Sequence, residues 1–229
     1  MSKSFFNPAV ESSANNKFRE KRFQFFLSQL LKIDKGQPIT ILDIGGTEIF
    51  WERMNFTNRP NVRITLLNLE KVNTHFPGFV SIKGDACDLH DINDKAFDIV
   101  FSNSVIEHLF NFENQQKMAN EAMRVGKYYY IQTPNFYFPI EPHWMFPFFQ
   151  VLPFSLKVFL TRNFNMGHYN KIPDQKEAEK QVNEVKLLTR AQMARLFPNG
   201  KMFLEKFLGL NKSITMYHFP DEKLTSQAN

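Results

Sequence analysis

From residue 39 onward, short apolar runs recur along the chain, each closed by an acid, an amide or a turn-forming residue. Five runs read as strands: ITILD at 39–43, VRITLLNL at 62–69, FVSIK at 79–83, the run within KAFDIVFSN at 95–103, and GKYYYIQT at 126–133. Between them, residues 48–56 and 111–125 carry helical patterns. Upstream, Phe18, Arg22, Phe23, Phe26, Leu27, Leu30 and Leu31 recur at spacings of three and four, which predicts an amphipathic helix over 15–31. Near-continuous apolar strands alternating with helical or turn-rich connections describe a mostly parallel sheet covered on both faces.

The rhythm changes after residue 133. Prolines 134, 139, 142, 147 and 153 disfavour a central strand or an uninterrupted helix. The 134–168 segment also holds eight Phe with Tyr137 and Trp144, so it either covers the sheet edge or walls a substrate pocket. Residues 174–186 are charged and read as a mobile loop or an exposed helix. LTRAQMARLFPN predicts a compact helix with Thr189 as N-cap. KMFLEKF and KSITMYHF, joined by LGLN, read as a closing antiparallel hairpin.

A length of 229 residues suits one domain, 1–229, with one substantial core. The net charge of +5 is mild, and no continuous Lys/Arg block marks a nucleic-acid footprint. Lys17, Arg19, Lys21 and Arg22 are read as the solvated face of the first helix. The single cysteine, Cys87, excludes an intramolecular disulfide and a cysteine-based zinc cluster. MSKSFFNPAVESS lacks a signal-peptide core, and no run is long and apolar enough for a span, so the expected location is cytoplasmic. FPFFQVLPFSLKVFL at 146–160 leaves peripheral contact with a lipid surface open.

The candidate chemistry lies at the strand ends. In open α/β sheets ligands bind beyond the carboxyl ends of the strands. Asp43, Asn68 with Glu70 beyond it, Asp85, and Asn103-Ser104 stand at four successive ends. Strand-terminal Asp and Asn are also ordinary turn formers, and it is the recurrence that favours a site.

ILDIGGTEIFW, LLNLE, KGDACDL and FDIVFSNSVIEHLFNF together resemble motifs of the class I S-adenosylmethionine-dependent methyltransferases, within the small-molecule group of quinone, sugar and natural-product enzymes. The resemblance covers residues 38–133 and, more loosely, the terminal hairpin. It implies a Rossmann-like fold with a seven-stranded, mostly parallel sheet ending in an antiparallel hairpin, and S-adenosylmethionine as cofactor. It implies Asp43, Gly45 and Gly46 at the methionine and ribose part, Asn68 or Glu70 at the ribose hydroxyls, and Asp85 with Ala86 at the adenine. Asn103, Ser104 and Val105 are implied at the methyl end, with Glu107-His108 just beyond. Thr47 and Glu48 replace the family's third glycine.

The implied activity is methylation, of oxygen first, on a small molecule, a saccharide or a lipid-linked precursor. Deprotonating an alcohol acceptor calls for an Asp, Glu or His nearby. Glu141 and His143 within PIEPHWMF are the candidates, with His108 a third and His168 a weaker fourth. The histidines are too irregularly spaced to predict a metal site. A monomer or homodimer without a nucleic-acid partner is expected. Two other readings remain: an NAD(P)-binding oxidoreductase domain, for which the G-x-G-x-x-G fingerprint is missing, and a catalytically degenerate Rossmann-like binding protein.

Overall fold

The computed structural model describes residues 13–221. In chain order the elements are α1 (Ser13–Leu30), β1 (Ile39–Ile44), α2 (Glu48–Arg53), β2 (Val62–Asn68), β3 (Phe79–Lys83), β4 (Phe97–Asn103), α3 (Phe112–Val125) and β5 (Gly126–Pro134). There follow β6 (Ile140–Glu141), β7 (Phe146–Pro147), α4 (Phe154–Asn163), α5 (Gln175–Glu184), α6 (Arg190–Leu196), β8 (Lys201–Phe207) and β9 (Leu210–His218). Seven strands form one sheet in the order β3-β2-β1-β4-β5-β9-β8. β1 to β5 pair in parallel, while β9 runs antiparallel to both β5 and β8. This is the α/β Rossmann-like architecture expected, with the terminal hairpin in place.

Alternation along the buried strands divides the interior in two. Leu42, Ile44, Val100, Ile131 and Ile214 point to the face covered by α3 and α6. Ile39, Ile41, Ile64, Ile99 and Phe101 point to the other, where Phe23, Phe26 and Leu30 of α1 pack with Trp51 of α2. α1 is anchored by more than apolar burial. The Tyr130 hydroxyl donates to the Arg22 carbonyl at 2.9 Å, and the Arg22 guanidinium pairs with the buried Glu205 carboxylate of β8 at 2.8 Å. The expectation of a wholly solvated basic face on this helix is therefore corrected at Arg22, which the terminal hairpin draws inward.

α2 stops at Arg53, three residues before its expected end at 56, and Asn55 just beyond it has a left-handed backbone (φ 53°). Thr189 caps α6 through a reciprocal capping box with Gln192. The hairpin turn is shorter than LGLN: Leu208 (φ 48°) and Gly209 (φ 81°) form it alone, and β9 begins at Leu210. Two positive φ values suit the twist of a two-residue hairpin.

The proline-rich segment folds into the short β6-β7 pair, a turn of 3-10 helix at Phe149–Val151, and α4. The 174–186 stretch is the helix α5, capped by Asp174. Together these build a third apolar cluster, in which Trp144, Phe149, Val158, Tyr169, Ile172, Ala178 and Val182 are buried. Trp144 stacks on Phe149 with ring centroids 4.3 Å apart and donates its indole N–H to Thr161 Oγ1 at 3.0 Å. The segment thus carries a small core of its own, which fixes where its polar residues point.

Candidate functional site

The turn after β1 is shaped by a glycine pair against a buried carboxylate. Gly45 has φ +71°, a region costly for other residues, and a Cβ there would lie 2.6 Å from Val105 Cγ2. A Cβ on Gly46 would collide with the Asp43 carboxylate. Asp43 is only 1% exposed and accepts a 2.7 Å hydrogen bond from Trp51 Nε1. Burial pushes its pKa up to about 8, against the smaller downward pull of the Trp51 hydrogen bond. Asn68 Nδ2 donates to the Gly46 carbonyl at 3.0 Å, which ties the end of β2 to this loop.

Glu48 has no role assigned by its place in the sequence, yet it braces the same loop. Its buried carboxylate accepts from the backbone N–H of His75 at 2.8 Å and of Phe76 at 3.1 Å. Burial acts to raise its pKa, but the hydrogen bonds from Phe76 and His75 outweigh it and hold the group below the usual glutamate value. An acid just after a glycine turn is the available signal; its partners lie 27 residues and more away.

Two cavities open beside this turn. The first, about 620 Å³, is lined by Asp43, Gly45, Gly46, Phe50, Phe101 and Asn103, with Arg19, Glu20 and Arg53 also in its wall. The second, about 480 Å³, is lined by Ser104, His108, Gln132, Ile140, His143 and His168, among others. Asn103 and Arg19 line both. Ser104, at φ 60°, donates its hydroxyl to Gln132 Oε1 at 3.0 Å and so closes the end of β4 onto β5.

Several residues expected at the cofactor do not line these two cavities. Glu70 is exposed and paired with Lys83 at 2.9 Å. Asp85 accepts from the Cys87 backbone N–H at 2.9 Å in a surface turn, and Ala86 packs on the edge of the core. None of Asn68, Glu70, Asp85 and Ala86 lines either cavity. Val105 serves by contact, closing over Gly45.

The candidate acid–base residues, 35 residues apart in sequence, do meet: His143 Nε2 lies 3.1 Å from His108 Nε2. Glu141 holds His143 from behind, with Oε1 2.6 Å from Nδ1, while Oε2 accepts from the backbone N–H of His143 and of Trp144, each at 2.8 Å. Burial would lower the pKa of His143; the adjacent Glu141 charge and hydrogen bond, with Glu107 and Glu184 farther off, raise it above the ordinary histidine value. Glu107 is fully buried and accepts from Thr133 Oγ1 at 2.9 Å. His168 reaches the second cavity because Gly167 (φ +55°) lets the chain pass against the His143 carbonyl, 2.6 Å from where a Cβ would stand.

A parallel sheet with an antiparallel terminal hairpin, a glycine turn after β1 and a cavity across the ends of β1 and β4 is the arrangement in which open α/β proteins bind ligands. Residues 29–128 match the family model described as a methyltransferase domain. The solved structure of an S-adenosylmethionine-dependent methyltransferase from Archaeoglobus fulgidus is similar, with a TM-score of 0.53 and 12% identity, covering 88% of this chain and 93% of that one. The carbon methyltransferase CurJ gives 0.53 and 10% identity, covering 87% of this chain and 53% of that one. At such identities these likenesses speak for the fold alone. An uncharacterized protein of Mycobacterium tuberculosis is 32% identical over 71 residues, covering 31% of this chain. The match spans about a quarter (24%) of that relative's length. The domain match over residues 29–128 and the shared fold make the chain similar to class I S-adenosylmethionine-dependent methyltransferases.

The residues present fit the cofactor of that class. Gly45 and Gly46 line the first cavity in a turn that admits no side chain, a Cβ there meeting Val105 or the Asp43 carboxylate, and Phe50 and Phe101 give that cavity an apolar side. Glu20, Arg19 and Arg53 supply charges of both signs, as an amino-acid end requires, and Asp43 adds a buried carboxyl group beside them.

Proposed function

We propose that the protein methylates an oxygen of a small molecule, a saccharide or a lipid-linked precursor, with S-adenosylmethionine in the first cavity and the acceptor in the second. The observation that carries this reading is the junction of the two cavities at Asn103. Catalysis of such a transfer comes largely from holding donor and acceptor in line. Bound in the first cavity, the cofactor supplies an electrophilic methyl group on a sulfonium. Asp43, Gly45 and Gly46 shape its methionine end, and Asn103 and Ser104 hold the boundary between the cavities. Asn68 acts through the Gly46 carbonyl, and Glu70, Asp85 and Ala86 are kept as the outer rim toward ribose and adenine. His108 and His143, with Glu141 fixing the latter, face the acceptor and ease removal of its proton.

The insertion favours an acceptor with an apolar part. Phe138, Ile140, Pro142 and Met145 line the second cavity. Phe148, Val151, Phe154, Phe159 and Phe164 remain exposed on the same segment, which supports contact with a lipid surface. Among the described residues no helix is long and apolar enough to cross a membrane. The dinucleotide reading gains nothing: Asp43 and Glu48 place carboxylates beside the turn where a pyrophosphate would need donors.

The experiment is transfer of labelled methyl from S-adenosylmethionine into small-molecule and lipid extracts of the source cells. A labelled product that disappears with His143→Ala, while S-adenosylhomocysteine still binds, is the expected result. Label only in protein or RNA would refute the acceptor class, and binding of neither cofactor form would favour a degenerate domain.

A further inference from the structure

We propose that His108, His143 and Glu107 form a binding site for a divalent transition-metal cation of the zinc class, open to the acceptor cavity. This rests on the acceptor reading of the second cavity for its role, though not for its existence. One ligand atom from each of the three residues lies within 4.8 Å of the others. The two imidazoles meet through Nε2 atoms 3.1 Å apart. Tetrahedral ligands at ordinary zinc–nitrogen bond lengths stand about 3.3 Å apart, so the two imidazoles need little movement, while the set as a whole would close in from within 4.8 Å.

The far side of each ring faces a carboxylate. His143 Nδ1 is 2.6 Å from Glu141 Oε1, and His108 Nδ1 is 3.6 Å from Glu184 Oε1. A carboxylate at Nδ1 fixes the tautomer in which Nε2 carries the lone pair, the arrangement that metal-binding histidines use. At His143 this presents the Nε2 lone pair to His108, whose Nδ1 is buried with no hydrogen-bond partner, so that a proton or a cation between the two Nε2 atoms decides the His108 tautomer. An independent observation favours the cation. Glu107 is 0% exposed, its Oε2 is satisfied by Thr133, and its Oε1 is buried with no hydrogen-bond partner. An unpaired buried carboxylate oxygen is costly, and a metal bond would satisfy it. Glu141, Glu107 and Glu184 also lie close enough to act on the His143 imidazole. Two imidazoles and one carboxylate suit zinc, cobalt or iron(II) rather than magnesium or calcium.

Three protein ligands leave a fourth position. His108 and His143 line the second cavity, so that position opens toward Ser104, Gln132 and Pro142. An acceptor bearing a hydroxyl or a vicinal diol is the ligand class that would fill it. Glu107 and His108 come from the turn after β4 and His143 from the proline-rich segment, so the cation would also bind the insertion to the sheet.

The test is direct metal binding by chelator-stripped full-length protein, with zinc measured by competition against a chromophoric chelator and cobalt by its visible spectrum. One equivalent per chain is expected, with cobalt bands of four- or five-coordinate type. His108→Ala and His143→Ala should each weaken binding by at least about 100-fold, and Glu141→Gln, acting through His143, by about 10- to 100-fold. His90→Ala, an exposed histidine outside the cluster, should change nothing. Circular dichroism would show that each variant remains folded. No stoichiometric binding, or binding that survives both histidine variants, would overturn the proposal and leave a shared proton between the rings. S-adenosylhomocysteine calorimetry on the stripped protein reads the cofactor site separately, so the two readings can fail independently.

Discussion

Replacing Asp43 with asparagine should stabilise the protein above neutral pH while weakening the cofactor site. Asp43 is buried, and its pKa is raised to about 8 from 3.8. Below the lower value both folded and unfolded chains hold the proton. Between the two values only the folded chain does, so stability falls as pH rises and levels off once pH passes about 8. From pH 6 to pH 8 that single proton accounts for a loss of about 2 kcal/mol. The asparagine side chain would occupy nearly the same volume, still accept from Trp51 Nε1 and never ionise. Groups common to both proteins cancel in the difference. The stability advantage of Asp43→Asn over wild type should therefore grow by about 2 kcal/mol between pH 6 and pH 8, a widening of about 4–8 °C in Tm for a chain of this size. Thermal unfolding of the cofactor-free proteins at matched ionic strength measures this. Parallel pH curves would refute the burial argument. Affinity for S-adenosylmethionine should fall in the variant, and the gap should widen with pH, because only the wild type gains an anion beside a cationic ligand.

Trp144→Ala should cost about 3–5 kcal/mol of stability by emptying the third cluster, while the folded fraction keeps its affinity for S-adenosylhomocysteine; urea unfolding and calorimetry separate the two, and a lost affinity would tie the insertion to the first cavity. Gly45→Ala should cost about 1–3 kcal/mol from its positive φ, with a further loss from the clash with Val105. In a Val105→Ala background that further loss should shrink by about 0.5–3 kcal/mol, and strict additivity would show that the two do not touch. Phe154→Ser with Phe159→Ser should reduce sedimentation with anionic lipid vesicles several-fold at unchanged stability, since both side chains are exposed (45% and 55%). Equal sedimentation would remove the lipid surface from the proposal.

Much of the sheet was legible because local rules decide it. Alternation sets which face a strand buries, and the FVSIK strand lies at its expected bounds of Phe79–Lys83. The Thr189 cap needed only a residue three positions away. Asp43 and Asn103 were legible as strand ends, but not their partners. The indole that holds Asp43 is eight residues on, across a turn and into a helix. Asn68 reads as a ribose ligand in a strand alignment, yet its amide finds the Gly46 carbonyl 22 residues back, because β1 and β2 lie side by side. A polar residue's position follows from its own neighbourhood, whereas its partner depends on which distant segment the fold brings there.

The meeting of His108 and His143 shows the same limit and why the insertion needs its own core. An irregular spacing of histidines separates them in space only where they share one element; here the two imidazoles come from a turn after β4 and from a hairpin between β5 and α4, and still meet. A loop that offered His143 without support would lose rotamer order each time it opened, and a misplaced group contributes little to a transition state. Glu141 prevents this by binding the backbone of His143 and Trp144 together with the imidazole itself. Trp144 is then clamped by Phe149 and Thr161. The buried aromatic cluster and the polar residues of PIEPHWMF therefore serve one end: the apolar part fixes the backbone, and the fixed backbone aims an imidazole at the cavity from outside the sheet.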